Sequence, residues 1–226
     1  MPASSVDPAA APSQGEASVA FADPAYREAV IDLLGVVAYG EISAFERLAE
    51  DAKLAPTLQD KVALAAMATG EFAKVAALRE RLTALGADPF AAMAPFRSAI
   101  DLFHAHTAPA DWPESLVKAY VGDGLANDFY REIAAYLDHD TRDLIVASVD
   151  TAGNSAFVAT AADPRLRGRL ALWGRRLMGE ALTQAQRVAA ERDALTALLA
   201  GGVDRPGLDL AAIGRIVNAE AAASGA

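Results

Sequence analysis

Glu41 on one apolar helical stripe, followed by Glu71-Phe72-Ala73-Lys74 on the next, is the pattern that decides the fold. Around Glu41, the residues Val30, Leu34, Val37, Ala38, Ala44, Phe45 and Leu48 recur at helical spacing, and Glu41 is the only charge among them. Around Glu71 the stripe is Leu64, Met67, Ala68, Lys74, Val75 and Leu78. A carboxylate on an apolar stripe costs several kcal/mol to bury unless it is paired, protonated or bound to metal. A glutamate on one helix and Glu-x-x-His on the next is half of a di-iron site in a four-helix bundle. Here Lys74 stands where that pattern places its histidine.

Working outward, helix signals frame both stripes. Asp23-Pro24 opens the first predicted helix, a cap followed by proline in the first turn, and it runs to about Lys53. Leu54-Ala55-Pro56 is the turn. Thr57, with Asp60 three residues on, caps the second helix, which ends at Leu85-Gly86. Glu41 and Glu71 are equidistant from residue 56, so in an antiparallel hairpin both lie about 22 Å from the turn at about 1.5 Å per residue. A long connection from Ala87 to Asp111 contains Pro89, Pro95 and Pro109, with a short helix predicted around Ala91 to Phe103.

A third helix is predicted from Asp111-Trp112-Pro113-Glu114 to about Asp138 and a fourth from Asp140-Thr141 to about Ala162. Asp163-Pro164 opens a long fifth helix ending at Gly201-Gly202, and a short final helix covers about 208–222. About the turn at 139–140, Asp128 falls opposite Thr151 and Leu125 opposite Asn154. If the long connection places the two turns at opposite ends of a bundle, the level of Asp128 meets that of Glu41 and Glu71. The expected fold is therefore all-α: a ferritin-like four-helix bundle with a long crossover and an additional long C-terminal helix. Residues 1–22, rich in Ala, Pro, Ser and Gly, read as a disordered tail; residues 23–200 form the helical domain and 201–226 a short helix and tail.

Composition narrows the function. Of 226 residues, 53% are hydrophobic but only 7% aromatic, and alanine and leucine dominate, which favours helices over strands. The net charge of −10 opposes non-specific nucleic-acid binding. Arg165, Arg167, Arg169, Arg175 and Arg176 make one local basic patch, preferred here as a solvated helix face. With no cysteine, disulfides, thiolate metal sites and cysteine nucleophiles are excluded. No apolar run reaches the roughly 20 residues of a membrane span, and no secretory leader is visible, so a cytoplasmic protein is expected.

Two stretches carry a family resemblance. WPESLVKAYVGDGLANDFYRE at 112–132 and LWGRRLMGEALTQAQ at 172–186 resemble actinobacterial ferritin-like proteins grouped with the tRNA hydroxylase that acts on 2-methylthio-isopentenyl-adenosine. That resemblance implies a di-iron monooxygenase, with Glu41, Glu71 and Asp128 as carboxylate ligands. It puts Lys74 and Asn154 at the two histidine positions and Thr151 at the fourth carboxylate, so three of six positions depart from the pattern. It also implies a nucleic-acid substrate, against the acidic charge.

Three readings follow. In the preferred one, Lys74 replaces the metal's charge by pairing with Glu71 and Glu41, and the protein is a metal-poor, non-catalytic descendant that binds a protein or small-molecule partner. In the second, Glu41, Glu71, Asp128 and Glu132 form a weakened oxygen-rich site suited to manganese or magnesium. In the third, Glu132 or Glu180 supplies a ligand outside this register and iron is bound. His104 and His106 are read as surface or packing residues, and His139 as part of a turn. Gly122 and Gly124 are read equally as the rim of a pocket or a close contact with the fifth helix. The face of Leu170, Trp173, Leu177 and Ala181 covers the bundle or forms a homodimer surface.

Overall fold

The computed structural model describes residues 21–148 and 166–200, and every described element is helical. Thr151, Asn154 and Arg165, most of the expected N-terminal tail, the second half of the fourth predicted helix and the helix expected at 208–222 lie outside the described residues.

Helix α1 (Pro24–Asp51) begins as its sequence dictates: the Asp23 side chain accepts from the Ala25 N–H and Pro24 fills the first turn. A short 3-10 turn at 52–54 leads to α2 (Leu58–Ala84). Thr57 caps α2 by accepting from the Asp60 N–H at 3.1 Å. Gly86 closes α2 with φ +72°, its N–H donating to Thr83 and that of Ala87 to Leu82, a Schellman cap that needs a residue free of Cβ strain. Arg27 ties this end back to α1 by donating to the Leu85 carbonyl. The two helices form the long antiparallel hairpin expected from their stripes.

The connection from 87 to 111 is more helical than its prolines suggested. Asp88-Pro89 caps α3 (Pro89–Met93), a 3-10 turn at 94–96 follows, and α4 (Arg97–His106) continues the chain. Pro89 and Pro95 both sit in the first turn of their elements, where a missing N–H breaks nothing. Asp111 caps α5 (Trp112–Ala134), and Asp138 caps α6 (His139–Ala147) while also accepting from Arg81 at 2.9 Å.

The long fifth helix of the sequence reading is two helices, α7 (Arg167–Glu191) and α8 (Asp193–Leu199). The break falls at Arg192, whose backbone leaves the helical region at φ −135°, ψ 80°. Two contacts account for it. Arg192 reaches Asp32 on α1 at 3.5 Å, and Leu195 turns into the core, where it is 3% exposed. A straight helix would carry Leu195 past that core. Trp173 and Leu177 are buried, with the Trp173 indole N–H donating to the Glu114 carbonyl at 3.0 Å, so this face of α7 covers α5.

The core gathers Leu33, Leu34, Val37, Leu78, Leu82, Phe96, Ile133 and Ile145 from α1, α2, the 94–96 turn, α5 and α6. Its tightest point is Gly35. A Cβ there would lie 2.3 Å from the Ala92 carbonyl oxygen, so α1 and α3 touch backbone to backbone. No described helix is long and apolar enough to cross a membrane.

Gly35→Ala is therefore expected to destabilise the protein by about 1–3 kcal/mol, because the obstructing atoms are main chain and cannot rotate away. Gly124→Ala meets nothing within 4 Å and is expected to leave stability unchanged or raise it by up to about 1 kcal/mol. Urea denaturation midpoints of the two variants check both signs.

Candidate functional site

The α1–α2 hairpin places Glu41 and Glu71 face to face, at 4% and 9% exposure. Lys74, one turn beyond Glu71, folds back between them: its Nζ lies 2.7 Å from Glu71 Oε2 and 3.4 Å from Glu41 Oε2. The pairing foreseen from the spacing is thus present. From α5, the buried Tyr130 hydroxyl donates to Glu41 Oε1 at 3.2 Å. Two carboxylates, one ammonium and one phenol make a polar cluster, with Asp123 and Asn127 of α5 lining the same cavity.

Charge counting explains its electrostatics. One ammonium cannot neutralise two buried carboxylates, so one of them is driven to keep its proton. Glu41 carries that burden: burial first, then the shared hydrogen bond with Glu71, push its carboxyl up to about 8, although Lys74 and Tyr130 pull the other way. Burial opposes the charge on Lys74, yet Glu41 and Glu71 outweigh it and hold the ammonium above its ordinary range. Tyr130, buried and facing these carboxylates, stays a neutral donor, its pKa raised well above the usual phenol value.

The cluster forms one end of a cavity of about 200 Å³ bounded by α1, α2, α4 and α5. Its walls include Ala44, Leu48, Met67, Ala119 and Ala126. The opposite end is built from Arg47 and Asp51 of α1, Phe103 and His104 of α4, and Lys118 of α5. Burial, then the neighbouring cations Lys118 and Arg47, press the His104 imidazole down to about 3, so it is neutral at ordinary pH. Burial likewise lowers the Lys118 ammonium to about 8 against the pull of Asp51.

The remaining sequence candidates lie elsewhere. Asp128 is not brought to the cluster: its carboxylate pairs with Arg131 at 3.1 Å, and it does not line the cavity. The inward stripe of α5 is Lys118, Gly122, Ala126, Tyr130 and Ile133, and Asp128 sits two residues from Tyr130, about 200° around the helix. Glu132 is exposed. Glu180 pairs with His106 at 2.8 Å and with Gln184, away from the cavity. Gly122 lines the cavity and Gly124 does not, and a Cβ placed at either would meet nothing within 4 Å among the described residues. The basic patch is partly consumed, since Arg169 binds Asp111 and Glu114 and Arg176 donates to the His106 carbonyl.

Several cavity residues, among them Arg47, Asp51, Lys118, Asn127 and Tyr130, carry no site reading from the sequence, and His104, read as a surface or packing residue, is largely buried and faces the chamber. Lys118 and Tyr130 had a signal that went unused: with Gly122, Ala126 and Ile133 they repeat every three or four residues, so a charge and a phenol sit on an inward stripe.

Among known families, the ferritin-like domain of actinomycetes matches residues 24–202. No curated protein shows significant similarity to the chain.

Two variants test the charge count. Lys74→Met strands a buried carboxylate and is expected to cost about 3–5 kcal/mol near neutral pH. Glu41→Gln mimics the protonated acid and is expected to be far milder. Because folding raises the Glu41 pKa from 4.5 to about 8, the native state holds a proton that the unfolded chain has released, and stability falls as pH rises through that window. The stability difference between Glu41→Gln and wild type, followed by denaturation from pH 4.5 to 8, should therefore move in favour of the variant as pH rises.

Proposed function

Because the chain belongs to the actinomycete ferritin-like domain family, we propose that it is a ferritin-like binding protein. Its metal position is held by the Lys74 ammonium, and its central chamber takes a small molecule. The observation that carries this reading is the position of Lys74 Nζ, within 3.4 Å of both glutamates. A di-iron centre takes four carboxylates and two imidazoles, with cations between them. Glu41 and Glu71 instead share an ammonium, which would repel a metal ion placed there. Asp128 is turned away, and the imidazole of His104 stands among cations at the opposite end of the chamber. Among the described residues these donors do not complete a di-iron set.

The chamber supports a binding role. Its lining surface is mostly apolar, with charged groups at each end and Asp123 between them on α5, a make-up compatible with a small-molecule site. Its volume of about 200 Å³ exceeds the about 150 Å³ of an engineered cavity that takes benzene, so a ring-sized ligand fits.

The second reading is a di-iron oxygenase of the tRNA-hydroxylase kind, acting on a modified nucleoside or another small substrate. The resemblance of 112–132 and 172–186 favours it, and it requires ligands beyond Glu41 and Glu71. A weak manganese site on the same carboxylates is its milder form.

Elemental analysis of the protein, purified after aerobic expression with iron and manganese supplements, separates these readings. The binding reading predicts metal near zero per chain. About two metals per chain would replace it with the oxygenase.

A further inference from the structure

The end of the chamber remote from Lys74 holds a second lysine in a different state. Lys118 is only 6% exposed, yet it closes no ion pair among the described residues. Its Nζ donates one hydrogen bond, at 2.8 Å, to the Thr107 carbonyl and lies 5.7 Å from the centre of the Phe103 ring. Asp51, itself 8% exposed, lines the same cavity and acts on Lys118 through space. A buried amine lining a chamber whose surface is largely apolar, with a buried carboxyl nearby and one hydrogen bond holding it, has the parts of an imine-forming site.

We propose that Lys118 is the reactive amine of a carbonyl-binding site, and that the chamber takes a small aldehyde or ketone with a ring-sized apolar body. The reading of the chamber as a binding site supports this step, but the role of Lys74 does not enter it.

The chemistry balances without an oxidant or reductant. The Nζ lone pair of the neutral amine adds to the carbonyl carbon, and the carbon–oxygen π pair moves to oxygen, which gains a proton. The carbinolamine then loses its hydroxyl as water, taking a proton that Asp51 supplies and recovers from nitrogen. The sum is R–CHO and the Lys118 amine giving R–CH=N–Lys118 and water.

The surroundings favour the neutral amine. The charged and titratable groups facing Lys118 are Asp51, Arg47 and Glu50 of α1, with His104 of α4. Burial and Arg47 lower its pKa, Asp51 and Glu50 oppose them, and the balance lies at about 8. His104 adds no charge, being held neutral. Near pH 7 the neutral fraction of Lys118 is then a few hundred times that of an ordinary lysine at about 10.4. Burial raises the pKa of Asp51 as well, which favours its protonated form.

The chain contains only Lys53, Lys61, Lys74 and Lys118, so the test reads directly. The full-length protein is incubated at pH 7 with benzaldehyde and cyanoborohydride, which traps an imine as a stable secondary amine, and each lysine is followed by peptide mass mapping. Labelling of Lys118 at least about tenfold faster than the exposed Lys53 and Lys61 is expected. A buried lysine with a merely structural role would label more slowly than those two, and equal or slower labelling of Lys118 overturns the proposal. Metal content and lysine selectivity are independent readouts. A metal-loaded protein that labels selectively at Lys118 keeps this inference and removes the Lys74 reading; a metal-free protein that labels indiscriminately does the reverse.

Discussion

The bridge Glu41–Lys74–Glu71 is the constraint on which the centre of this molecule depends. Two long helices place two carboxylates at one level, inside apolar faces, where neither can stay ionised alone. A single ammonium at 2.7 and 3.4 Å resolves most of that conflict, and a retained proton on Glu41 with the Tyr130 hydroxyl resolves the rest. Charged groups with so few alternatives fix the register of α1 on α2 and the rotation of α5 above them. Apolar packing alone would tolerate small slips along the same stripes.

The same bridge shapes the chamber. It holds Glu41, Glu71 and Lys74 together at one end, and Ala44, Leu48, Met67 and Ala126 supply apolar wall beside them. The far end behaves in the opposite way. There Lys118 and Asp51 are buried in the same region without closing a pair, and both are pushed toward their neutral forms. One lysine is thus locked as a cation by two partners, while the other is poised to lose its proton. Their difference comes from partner count, since burial opposes the charge of both.

Much of this was legible in the sequence. Asp23-Pro24, Thr57, Asp111 and Gly86 marked helix ends because capping is local chemistry, readable from adjacent residues. Glu41 and Glu71 stood out as charges on apolar stripes, and their equal distance from residue 56 correctly made them neighbours. Asp128 shows the limit. A level along the axis says nothing about rotation around it, and the inward face of α5 is set by Lys118, Gly122, Ala126 and Tyr130. The break at Arg192 was hidden for a related reason: helix propensity continues through it, and only the tertiary contacts of Arg192 with Asp32 and of Leu195 with the core end the helix. His104 was illegible because it lies in a connection whose path across the bundle determines what it faces.

The central claim is that an ammonium occupies the place a metal would take. An anomalous diffraction map recorded at the iron edge, from crystals of protein produced in iron-supplemented medium, tests it most directly. The account predicts no anomalous peak between Glu41 and Glu71, with ordinary electron density for the Lys74 side chain reaching into the gap. A strong peak coordinated by both glutamates, with Lys74 turned outward, would contradict it.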